Sequence, residues 1–220
     1  MCKKLLSIFV FLMLFGLIFS PASSFAFKSI TRGQIIHDAI QFCPSELQQY
    51  LLANLDSVSA GSHFAEYHRR RSYSIDPYET ESIYNYLVKD LKEGKANEYN
   101  TAHAFGVIAC FIAETISPDN FRTPQLLIPD EVKYDGFQEI GDVKSNITSL
   151  VENYRIPCQH KWDKGLMEDL YNVAVNEIVD YWTSAWEKSG YQAGTPAVAG
   201  KEISHQNLVL NAKAGNKRPQ

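Results

Sequence analysis

Apolar residues along this chain fall at helical spacing almost everywhere, and no stretch of useful length alternates as a strand would. The pattern predicts helices over residues 31–42, 45–57, 77–93, 98–115, 141–154 and 164–188, a single all-α domain of about six main helices. Start signals support several boundaries. Asp76 followed by Pro77, with Glu79 three residues after the Asp, offers a side-chain cap, a proline at the first helical position and an acid near the positive helix end. Ser45 after Pro44 is similar. The last helix carries Leu166, Leu170, Val173, Val175, Ile178, Val179, Trp182 and Trp186, a broad stripe that demands a core on one side. It ends at Ser189-Gly190. Beyond Gly194 the chain turns to Gly, Ala and Lys without periodicity, so residues 195–220 are expected to form a flexible, disordered tail with at most a short helix.

The first 26 residues follow another plan. Lys3 and Lys4 precede an uncharged apolar run of about 15 residues, then Pro21 and small residues ending Ser24-Phe25-Ala26, the arrangement of a secretory signal peptide cleaved after Ala26. The run is short of the roughly 20 residues that span a bilayer, so no transmembrane segment is expected in the mature protein. The expectation is export, to a periplasmic or secreted location, with the helical domain over 27–194. Losing Lys3 and Lys4 takes the formal charge from −4 to about −6. That balance argues against nucleic acid as a partner, because sequence-independent binding draws on basic surface.

Three cysteines follow the leader. Cys43 and Cys158 sit in similar Pro-flanked turns, "FCPSE" and "IPCQH", and are the expected pair if a disulfide forms; Cys110 then stays a thiol.

The stretch "ACFIAETISPDN" (109–120) carries the candidate chemistry. Cys110 and Glu114 lie one turn apart on the same helical face, Ser117-Pro118 stops the helix, and Asn120 follows. Set beside the other helices, it resembles the all-α zinc-dependent phospholipase C family, which includes the fungal single-strand-specific nucleases. Mature chains of that family begin with a Trp whose terminal amine binds zinc, followed by a ligand His at the start of the first helix. Here Phe27 and Arg32 stand at those places in "FKSITRGQIIHDAI". "GSHFAEYHR" puts Glu66 at the place of the bridging Asp, and "SYSIDP" offers Tyr73 for a further ligand His. In "FGVIACFIAETISPDN", Cys110, Glu114 and Asn120 occupy the His, Asp and His places. "EVKYD" puts Glu131 and Asp135 at a His-x-x-x-Glu pair, and "IVDYWTSAWEKSG" is similar to the closing helix of bacterial members.

Each carboxylate place thus keeps a carboxylate, and each histidine place has lost its histidine. The resemblance implies a metal set of Glu66, Cys110, Glu114, Glu131 and Asp135, with Glu66 at the catalytic position. Those are mostly hard oxygen donors, poorly matched to a trinuclear zinc cluster. No cofactor is expected; the alternative is one divalent metal, whether zinc, calcium, magnesium or manganese. A metal-free arrangement is the competing expectation. Two carboxylates about 4 Å apart repel by roughly 4 kcal/mol at an effective dielectric near 20, so converging acids need a cation or must take up protons. Arg32 can be that cation, gripping Glu114 or Glu66 in the space of a lost zinc.

His103 shares the face of Cys110 and either reaches the cleft or simply packs. His63 and His68 flank Glu66 as replacement ligands or as parts of a surface loop, and His37 and His160 carry no spacing signal. Arg69-Arg70-Arg71 either clamps a phosphate or anionic lipid head group or forms a solvated basic loop. Asn146-Ile147-Thr148 matches a glycosylation acceptor, a motif common by chance. The expected function is an exported phospholipase C/nuclease-like protein whose phosphodiester hydrolysis is lost or weakened, serving as a binding or structural protein for a small ligand or protein partner. The alternative is an active phosphoesterase, hydrolysing phospholipid or nucleic-acid diesters through a reduced carboxylate-rich metal site.

Overall fold

The computed structural model describes residues 27, 29–64, 76–117, 128–158, 163–192 and 200–205. Of these, 73% are helical and 4% are in strands, so the mostly helical character expected from apolar spacing holds. The helices are α1 (Ser29–Phe42), α2 (Ser45–Ala53), α3 (Leu55–Ser62), α4 (Pro77–Lys92), α5 (Tyr99–Ile116), α6 (Val143–Leu150) and α7 (Lys164–Lys188). Two short strands, β1 (Glu131–Lys133) and β2 (Glu202–Ser204), complete the described elements. No helix among the described residues is long and apolar enough to cross a membrane.

Of the two expected start signals, Asp76 caps its helix through its side chain, whereas at α2 the N-cap place falls on Pro44, Ser45 is already helical and no side-chain cap bond forms. Asp76 accepts from Tyr78 N at 2.9 Å, and Asp142 and Asp163 cap α6 and α7 in the same way. The expected helix over 45–57 is instead two. Asn54 ends α2 by donating its side-chain amide to Tyr50 O at 2.9 Å, while its own carbonyl accepts from Val58 N at 3.1 Å and starts α3. An amide that can bond the backbone locally competes with helix continuation. The expected helix over 141–154 keeps regular geometry only to Leu150. It widens into a π-helical turn at Val151–Arg155 and ends in Ile156–Cys158. Pro157 has no N–H to return to Asn153 and its ring crowds that carbonyl, which accounts for the widened turn before it.

Helix α5 is the centre of the domain. Every residue from Ala104 to Ile116 is buried, and the helix touches α1, α3, α4, α6 and α7. Its contact with α3 is unusually close because both helices present glycine there. A Cβ on Gly106 would lie 1.9 Å from Val58 O, and one on Gly61 would lie 2.1 Å from His103 O. Only hydrogen fits at either point. Trp182 of α7 closes the opposite flank, donating its indole N–H to Phe105 O at 2.9 Å.

Two expectations for the C-terminal region need correction. Residues 200–205, expected within a flexible tail, form a docked strand: β2 pairs antiparallel with β1, with Val132 opposite Ile203. Gly200 N also bonds Tyr134 O, and His205 N bonds Asp130 O. The strand escaped the sequence reading because it is three residues long and its pairing partner lies some 70 positions away. The expected Cys43–Cys158 disulfide is absent, since Cys43 is a buried free thiol; burial raises its pKa well above the ordinary thiol range.

After β1 the chain stays extended along α7, and a ladder of side chains at i+4 spacing holds it there. Asn172 accepts from Lys133 N at 2.9 Å, Asn176 from Asp135 N at 3.1 Å, Asp180 from Gln138 N at 2.9 Å and Ser184 from Ile140 N at 2.9 Å. Asn176 also donates to Lys133 O, and Lys188 donates to Ile140 O. Four helical residues advance about 6 Å and two extended residues about 6.6 Å, so the repeats nearly match. The interval from Asp135 to Gln138 holds an extra residue, taken up at Gly136 with φ 105°. The ladder gives an unpaired strand edge its hydrogen-bond partners.

The glycine contact yields a matched prediction. Gly106→Ala is expected to lower unfolding free energy in urea by about 3 kcal/mol, because backbone and not a yielding side chain blocks the new methyl. Gly33→Ala, on the exposed face of α1 with nothing near its Cβ, is expected to gain about 0.5–1 kcal/mol.

Candidate functional site

Arg32 lies on the inward face of α1 among Ile35, Ile36 and Ala39, where a helix normally carries an apolar side chain. It is 1% exposed. Its Nη1 donates to Glu114 Oε1 at 2.9 Å and lies 3.4 Å from Cys110 Sγ. Glu114 is 4% exposed and Cys110 lies one turn before it on α5. Arg32, Cys110 and Glu114 each have interactions beyond these. The structure thus unites three of the residues singled out from the sequence, and the cation beside Glu114 is the guanidinium.

The remaining candidates separate. Glu131 is exposed on the β1–β2 ribbon, where Lys133 lies 3.6 Å from it and 2.9 Å from Glu202. Asp135 is on the α7 ladder beside Asn176. Neither joins Cys110 and Glu114. Strand geometry explains this, because β1 is drawn to β2 and the following segment to α7. Among the described residues no three His, Cys, Asp or Glu side chains form a group able to hold a metal ion. Phe27 is buried in the core with its ring edge-on to Tyr171, centroids 6.5 Å apart. Glu66, Tyr73, Asn120, His68, His160, the run Arg69–Arg71 and the leader 1–26 lie outside the described residues.

His103, His63 and His37 take ordinary places. His103 is partly buried between the rings of Tyr99 and Phe64, and burial lowers its pKa. His63 ends α3, and His37 is exposed. Asn146, of the glycosylation-like motif, accepts from Tyr181 OH at 2.9 Å inside the fold.

Two polar groupings were missed from the sequence. One is centred on Asp38, which is fully buried and bonded by Gln34, Tyr171 and His205. Its partners come from distant positions, so no spacing could reveal it. The other is the acidic side of the ladder. Burial pushes Asp180 up to about 8 against the opposing bond from Gln138 N, and the charges of Glu177 and Asp135 add to the rise. Burial likewise pushes Glu177 up to about 7. Here a signal existed: Asn172, Asn176, Asp180, Ser184 and Lys188 recur every fourth residue along an otherwise apolar helix.

Comparison with protein-family models, curated proteins and solved structures gives no match.

What the Arg32 site can do follows from its charges. A buried carboxylate beside a guanidinium is already neutralised. A divalent ion about 4 Å from that guanidinium would meet roughly 8 kcal/mol of repulsion at an effective dielectric of 20, a cost that Glu114 and one thiol must offset. The arrangement suits internal pairing better than metal binding.

Two predictions test these charges. Arg32→Met or Glu114→Gln alone strands a buried charge or its polar partner and is expected to cost about 3–5 kcal/mol in urea unfolding. The double variant is expected to cost less than the sum, and additivity would mean that the two groups are not coupled. Asp180→Asn addresses the ladder. A carboxyl whose folded pKa lies above its unfolded value binds a proton on folding, so Asp180 makes stability fall as pH rises from about 4 to about 8. Asparagine keeps the acceptor for Gln138 N without the charge. The variant is expected to be more stable by about 1–3 kcal/mol near pH 8, with a flatter stability profile across that interval.

Proposed function

We propose that the protein is an exported, non-catalytic member of the phospholipase C/nuclease type, in which a built-in guanidinium fills the role of a lost metal and the fold serves as a binding or structural module. The observation that carries this reading is the Arg32–Glu114 ion pair, 2.9 Å long with both side chains almost wholly buried. It occurs at the two places where the family resemblance puts a ligand histidine and a ligand aspartate. Hydrolysis by the family's route needs several metals held in register around the phosphate. A fixed positive side chain in that space competes with them, and the separation of Glu131 and Asp135 removes two further donors. A mostly helical scaffold without that chemistry still offers a surface to a small ligand or protein partner. The basic run Arg69–Arg71 is the segment suited to a phosphate or anionic head group.

Full-length protein purified without chelators, analysed for bound metal and assayed on a generic phosphodiester in zinc, manganese and calcium, tests this directly. The expected outcome is metal well below one equivalent, no turnover above the blank, and marked destabilisation by Arg32→Ala. Near-stoichiometric metal together with turnover abolished by Glu114→Ala would instead establish the active phosphoesterase.

A further inference from the structure

His205 follows β2 and is 2% exposed where the C-terminal segment meets α1 and the residues before β1. Its Nδ1 lies 3.0 Å from Pro129 O and its Nε2 lies 3.1 Å from Asp38 Oδ1. Asp38 Oδ1 also accepts from Gln34 Nε2 at 2.9 Å, and its Oδ2 accepts from Tyr171 OH at 2.6 Å. That set of donors suits an ionised carboxylate, which has no hydrogen of its own to give. Tyr171 stays an O–H donor, since burial and the neighbouring Asp38 charge raise its pKa well above the ordinary range. Both ring nitrogens of His205 therefore face acceptors. A neutral imidazole owns one N–H and would set a lone pair against one of them; the imidazolium satisfies both.

We propose that the imidazolium of His205, held between Asp38 and Pro129, is a proton-dependent latch that fixes the C-terminal strand to the helical core and releases it when the proton is lost. Among the described residues the strand's other holds are short: pairing with β1 over three residues, backbone bonds joining Gly200 and Lys201 to Tyr134 and His205 to Asp130, a partly buried Ile203, and Lys201 reaching Gln41 O at 2.7 Å. A two-stranded ribbon of that size is marginal without a further anchor.

The charged and titratable surroundings leave His205 as the responsive group. From α1 come Asp38 and the exposed His37, whose Nδ1 is 3.8 Å from Asp38 Oδ1; from α7 comes Tyr171. Asp130, before β1, faces solvent and interacts with Lys164. On the two-stranded ribbon, Glu202 pairs with Lys133. With an acceptor at each ring nitrogen, the latch is closed while the imidazole holds both protons and opens when one is lost.

Nitrogen-15-labelled full-length protein provides the test, through ring-nitrogen NMR of His205 and amide exchange of residues 202–205 across pH, corrected for intrinsic exchange chemistry. The expected result is two ring protons while the strand is protected, and protection that falls about tenfold or more as one proton leaves. His205→Gln, which has no charge, is expected to lack strand protection at every pH while the α5 amides keep theirs. His37→Ala is expected to leave the transition in place. Three results would each overturn the latch: a docked strand with a singly protonated ring, protection unchanged after the ring proton is lost, or a transition abolished by His37→Ala. A ring that keeps both protons until the whole protein unfolds overturns it too.

Discussion

Placing Arg32 and Glu114 out of water costs several kcal/mol for each ion, and their 2.9 Å contact is a direct offset to that cost. That requirement constrains the two helices that carry them. Apolar surfaces tolerate small slides and rotations, whereas a 2.9 Å contact between a nitrogen and an oxygen does not. The pair therefore sets the register of α1 against the end of α5. It also decides what else can occupy the space, because the guanidinium and the carboxylate neutralise each other from within the fold.

The surroundings of α5 make this constraint strict. With glycine at the α3 contact and α7 along another flank, the helix has no solvent face between Ala104 and Ile116. Any polar group on it must find its partner inside the protein. Thr115 returns its hydroxyl to Phe111 O at 2.8 Å, and Glu114 is answered by a side chain 82 residues earlier in sequence.

Much of this was legible in the sequence, and what escaped has identifiable causes. Long helices with caps, such as α4 behind Asp76-Pro77 and α7 behind Asp163, follow from local chemistry and were found with boundaries correct within a residue or so. The Arg32–Glu114 pair was anticipated because the family resemblance puts both residues at ligand places of one site, where a carboxylate that has lost its metal needs another cation. The break at Asn54 depends on one side-chain bond that the apolar pattern does not register. Strand β2 and the Asp38 grouping depend on contacts between residues far apart in the chain, to which local periodicity is blind. Glu131 and Asp135 were grouped with the site by motif resemblance, but the pairing of β1 with β2 and the ladder of α7 determine where they lie.

The buried acids show why burial of a carboxylate does not by itself mark a reactive centre. Glu114 is opposed by a permanent cation, so its charge is what the site uses. Among the described residues Asp180 has no such partner; its task is to accept from Gln138 N, which a carboxyl oxygen performs whether or not the group is ionised. Asn172, Asn176 and Ser184 do the same work at neighbouring rungs with neutral side chains. The elevated pKa values of Asp180 and Glu177 are therefore a consequence of burying acids along a backbone-binding helix face. They give no support to acid–base catalysis there, and they leave the guanidinium-filled site on α1 and α5 as the feature on which a functional account must rest.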